Sequence, residues 1–85
     1  MCAYVDRLTS LNTMMGTFRN PSNRGAGNTV IAQFRRSVRN GEFTRDLDGP
    51  NLERMQDLLR QIQHELNQER FSTAAQLVTD EMALL

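Results

Sequence analysis

The stretch Asn51-Leu52-Glu53-Arg54-Met55-Gln56-Asp57-Leu58-Leu59-Arg60-Gln61-Ile62-Gln63-His64-Glu65-Leu66 decides the fold class of this 85-residue chain. Leu52, Met55, Leu59, Ile62 and Leu66 recur at alternating intervals of three and four, the spacing that brings side chains onto one stripe of an α-helix. Leu58 widens the stripe, while Arg54, Gln61, His64 and Gln68 point elsewhere. Asn51 suits the N-cap, and Asp48, Glu53 and Asp57 lie where the positive end of the helix dipole favours acids. A helix from Asn51 to about Arg70 is therefore expected as the spine of an all-α fold. Continuing the repeat would put Glu69 and Thr73 in the seam, so a long coiled coil is not expected.

Beyond the seam, Phe71-Ser72 reads as a staple and cap opening a further helix from about Thr73 to the end, with Ala74, Leu77, Val78, Met82 and Leu85 apolar. A single kinked helix from Asn51 to Leu85 is the alternative. Upstream, the polar connector from Thr44 to Pro50 separates the spine from a shorter helix. Its cap is Asn28 or Thr29, its inner face Val30 or Ile31 with Phe34 and Val38, and its stop Asn40-Gly41. An Asn-Gly hairpin turn would need alternating flanks, which are absent. From Tyr4 to Phe18, the stripe Val5, Leu8, Leu11, Met15 and Phe18, widened by Tyr4 and Met14, predicts the first helix. The run from Arg19 to Asn28, with Pro21, two glycines and three asparagines, reads as an irregular loop. The expectation is one domain over residues 1–85, a bundle of three to four short helices.

All ten cationic side chains are arginine. Seven fall in the first 46 residues against three acids, and three in the last 39 against seven, so a basic front precedes an acidic back in a chain of zero formal charge. Such segregation suits docking onto a partner or onto a twin. A core this small rarely contributes more than about 3–5 kcal/mol without a staple. Cys2 is the sole cysteine and His64 the sole histidine, so neither an internal disulfide nor a structural zinc site is available. Self-association is the expected source of extra stability, most simply as a two-fold homodimer. Glu65 and Glu69 share a helix face but lack a histidine to complete a ligand set. Gly25-Ala26-Gly27-Asn28-Thr29 lacks the lysine of a P-loop and the preceding strand of a dinucleotide-binding turn. No nucleophile stands beside a base. No enzyme activity, cofactor, metal or small-molecule substrate is expected, and no run approaches the roughly 18 apolar residues of a membrane span. The start lacks a basic region followed by an apolar stretch, which points to an intracellular protein.

Two functional readings follow. In the first, the chain is a non-enzymatic adaptor, chaperone or inhibitor-like regulator that binds a protein partner, or itself, through the seam Leu52, Met55, Leu59, Ile62 and Leu66. In the second, it is a small dimeric nucleic-acid binder contacting phosphates through Arg19, Arg24, Arg35, Arg36, Arg39 and Arg45, because guanidinium forks match phosphate oxygens. A competing expectation pairs Arg35, Arg36 and Arg39 with acids of the back half, within or between chains. Arg45-Asp46-Leu47-Asp48 before a long and a short final helix resembles the dimeric RNA-silencing suppressors of nodaviruses. The proline-containing turn before an amphipathic helix is similar to secretion-needle subunits and their chaperones. The net acidic long helix here departs from the first of these resemblances.

Overall fold

The computed structural model describes residues 2–19 and 27–85. It contains four helices, α1 (Ala3–Arg19), α2 (Gly27–Arg39), α3 (Gly49–Asn67) and α4 (Phe71–Ala83), and no strand among the described residues. The loop read from Arg19 to Asn28 lies largely outside the described residues.

α1 and α4 run antiparallel, as two contacts at opposite ends establish. Tyr4, at the start of α1, donates a hydrogen bond to Glu81 near the end of α4, at 2.5 Å. Phe18, in the last turn of α1, stacks on Phe71, the first residue of α4, with ring centroids 5.7 Å apart. α4 also packs along α3. Its contact face is built from Ala74, Ala75 and Val78, all buried, and alanines let helix axes approach to the short end of the usual 8–10 Å range.

The single chain buries its own stripes. Tyr4, Leu8, Leu11, Met15 and Phe18 of α1 join Met55, Leu58, Leu59, Ile62 and Leu66 of α3 in one core, with Phe34 from α2 and Phe43 from the connector. The apolar faces of the first and third helices are thus covered within one chain. The α1 stripe is rotated from the expected one: Tyr4 is inside and Val5 is exposed. The phenol can be buried because its hydroxyl finds a carboxylate.

The helix ends differ in detail from the sequence expectation. α3 begins at Gly49, with Asp48 in extended geometry at the N-cap and Pro50 in the first turn, so Asn51 lies inside the helix. Proline suits this place because its φ is already near the helical value and its missing N–H has no partner to lose. α3 and α4 are separate helices, with the break before Phe71. There Glu69 takes φ 59, the Arg70 amide donates to the Glu65 carbonyl at 2.9 Å, and the Glu69 amide to that of Leu66 at 3.0 Å. This is a Schellman ending with glutamate in the left-handed place where glycine is usual. Phe71 and Ser72 lie within α4. α2 closes the same way with the expected glycine: Gly41 has φ 76, and the Glu42 amide reaches the Ser37 carbonyl at 3.1 Å.

Candidate interaction surface

Among the helices, α2 is held most lightly. Phe34 is its fully buried anchor, and Val30, Ile31 and Val38 are covered in part. Full burial of one such side chain is worth about 1.5–3 kcal/mol. Phe34 also stacks on Phe43 of the following connector, with centroids 6.3 Å apart. Because α2 touches α3 along a narrow strip, a cleft remains between them. Phe34, Val38 and Leu59 contribute apolar lining, with Thr44, Gln56 and Gln63 as polar neighbours and Arg60 at the edge. A second hollow of about 540 Å³, sharing Val38 and Gln63, is lined by Ala32, Arg35, Arg36 and Arg39.

The α2 arginines of this cleft are not engaged by acids among the described residues. Arg35 donates to the side-chain oxygen of Asn67 at 2.7 Å, and Gln63 donates to that same oxygen at 3.0 Å. Arg36 and Arg39 are exposed, with no hydrogen bond or ion pair among the described residues. Both lie in the last turn of α2, where cations interact favourably with the helix dipole. The expectation that Arg35, Arg36 and Arg39 pair with acids of the back half is therefore corrected within the chain. Acidic residues there take arginines of their own half: Glu81 with Arg54 at 2.7 Å, Glu65 with Arg70 at 3.1 Å, and Asp57 with Arg60.

Of the other arginines named from sequence, Arg45 is exposed on the connector. Arg24 lies outside the described residues, as does the side chain of Arg19. The seam lies elsewhere than at the surface. Met55, Leu59, Ile62 and Leu66 are buried in the core and Leu52 is half-buried, so the stripe builds the interior of this chain and does not face outward. Leu59 alone of the five also lines the cleft. Sequence reasoning missed Phe34 and Val38 as cleft lining, and Arg60 as part of its edge. Arg60 sits one place past Leu59, on the shoulder of the seam, and that offset was the available signal.

Near the start of α3 the polar contacts are dense. Arg54 lies over the Tyr4 ring, 4.9 Å from its centroid, while bonding Glu81. Burial, then the hydrogen bond to Glu81 and its negative charge, push the Tyr4 pKa up to about 12. The Arg54 guanidinium is raised by its hydrogen bond to Glu81. Tyr4, Arg54 and Glu81 thus tie α1, α3 and α4 together at one end of the bundle.

His64 and Cys2 are exposed. Among the described residues no three metal-binding side chains come together, and no helix is long and apolar enough to cross a membrane. Comparison with protein families, with curated proteins and with solved structures finds no match.

Proposed function

We propose that this chain is a non-enzymatic interaction protein working inside the cell, an adaptor, chaperone or inhibitor-like regulator, whose docking face is the cleft between α2 and α3. The observation that carries this reading is half-buried Val38 and exposed Ala32, over the buried Phe34 and Leu59, beside Arg36 and Arg39, which no acid among the described residues engages. An amphipathic acidic segment is the complementary ligand. Its apolar side chains would cover the lining, and its carboxylates would meet guanidinium groups that need no desolvation from a prior ion pair.

The nucleic-acid reading keeps one favourable observation. Arg35 and Arg39 stand one turn apart on α2, and neither is neutralised within the described residues. Salt separates the two readings. Each phosphate neutralised on duplex DNA contributes about 0.9 to the slope of log affinity against log salt. Wild type and the double variant Arg36→Glu/Arg39→Glu should be titrated, at two ionic strengths, with three fluorescent probes: a leucine- and glutamate-bearing helical peptide, a DNA duplex and an RNA duplex. Peptide binding with shallow salt dependence, lost in the variant, is the expected result. Steeply salt-dependent duplex binding would establish the second reading instead, and no binding of any probe would sink the docking face.

A further inference from the structure

The large apolar side chains left exposed among the described residues are Val5, Leu84 and Leu85, with Leu84 73% and Leu85 58% accessible. They share one end of the bundle. Leu84 and Leu85 follow α4, and Val5 adjoins Tyr4, which bonds Glu81 of α4. This end is acidic. Asp6 is in the first turn of α1, Asp48 occupies the N-cap position of α3, Glu53 follows in its second turn, and Asp80 is exposed near the close of α4. Of the two cations beside them, Arg54 is taken by Glu81 and Arg7 donates to the Glu42 backbone carbonyl, so the acids remain in excess. One end of the molecule therefore offers uncovered leucines among carboxylates, while the cleft offers Val38 and Ala32 beside Arg36 and Arg39, which hold no acid among the described residues.

We infer that the cleft between α2 and α3 receives the α4 end of a second copy of this chain, Leu84 and Leu85 against half-buried Val38 and exposed Ala32, and Asp80 toward Arg36 and Arg39. The inference rests on the reading of the cleft as a docking face and names its occupant. A chain does not fill its own cleft, because its α4 lies on the other flank of α3, where Leu58, Gln61, Leu77 and Leu84 line a separate groove. The two surfaces differ, so the contact is head-to-tail, with each copy carrying one donor end and one acceptor cleft. Opposite charges at the two sites favour this orientation and disfavour cleft against cleft or end against end.

A mixing experiment on the full chain tests it. Wild type should grow beyond its 9.7 kDa monomer mass as concentration rises, by light scattering or sedimentation. The acceptor-side variant Arg36→Glu/Arg39→Glu and the donor-side variant Leu84→Ser/Leu85→Ser should each remain monomeric alone. Combined in equal amounts, they should form a species of about twice the monomer mass and no larger, because each pair retains a single competent contact. All four side chains are exposed, so no core contact is lost; because glutamates in the last turn of α2 oppose the helix dipole, Arg36→Gln/Arg39→Gln is the replacement where helicity falls. Wild type that stays monomeric throughout overturns the inference, as does a mixture that stays monomeric or a single variant that associates like wild type. Peptide binding by a monomeric wild type would overturn this inference while leaving the docking face intact. Failure of Arg36→Glu/Arg39→Glu to weaken peptide binding would remove the docking face itself.

Discussion

Tyr4 and Glu81 stand 77 positions apart and meet at 2.5 Å, hydroxyl to carboxylate, with Arg54 over the phenol ring and bonded to the same carboxylate oxygen. A hydrogen bond to a charged acceptor contributes about 1.5–3 kcal/mol. Tyr4→Phe keeps the packing and removes only the hydroxyl. It should lower stability by about 2 kcal/mol and Tm by about 10 °C, measured by thermal denaturation at neutral pH.

Alkaline pH should act at the same place. Tyr4 ionises near pH 12 in the fold, whereas an unfolded tyrosine ionises near pH 10. Between those values the unfolded chain has released the proton and the folded chain has kept it. The stabilisation is complete below about pH 10 and is lost as pH rises through about 12. Tyr4 is the sole tyrosine, so tyrosinate absorbance follows it directly. A transition near 10 in the folded protein would show that the hydroxyl is not held as described, and Tyr4→Phe should flatten the fall in stability.

At the break between α3 and α4, Glu69→Gly should stabilise. A side chain with φ near 60 carries a Cβ clash with the backbone that glycine lacks, costing about 1–2 kcal/mol. Part of that gain is offset by the greater freedom of glycine in the unfolded chain, which leaves about 1 kcal/mol. Asp46 has φ 65, but aspartate tolerates this region better, so Asp46→Gly should gain less. Urea denaturation of the two variants side by side tests the difference.

Ile62 is fully buried between helices. Ile62→Ala should cost about 2–5 kcal/mol through lost transfer energy and the remaining cavity. Ile62→Asp places an unpaired carboxylate in the same space and should abolish the fold, seen as lost helicity in circular dichroism. If Ile62→Asp kept native helicity, the seam could not form the interior.

The periodic residues of α3 were legible because a three-four spacing has one helical interpretation, and a repeat that runs out at Glu69 forecasts the end of the helix. Their covering was not legible. Periodicity tells which side chains avoid water but not what excludes it, and here α1 and the buried Ala74, Ala75 and Val78 of α4 supply the cover that a second copy was expected to provide. Charge order misled for a similar reason. Asp57 and Glu65 take Arg60 and Arg70, which are near in sequence, and Glu81 takes Arg54 where α4 packs on α3, so these acids are met by arginines of their own half and not by those of α2. The cleft required knowing that α2 leans on α3 along a strip, which depends on tertiary packing and leaves no mark in the spacing of α2 itself.

The antiparallel pairing of α1 with α4 has a consequence for the growing chain. On the ribosome the first helix is made well before the last, yet Leu8, Leu11, Met15 and Phe18 gain their full cover only when α4 joins. For that interval an apolar stripe stands open to any hydrophobic surface nearby, the period in which small helical chains are most exposed to wrong association. Closure then comes late and at long range, so α1 should acquire protection from hydrogen exchange only after residues through Glu81 have cleared the exit tunnel.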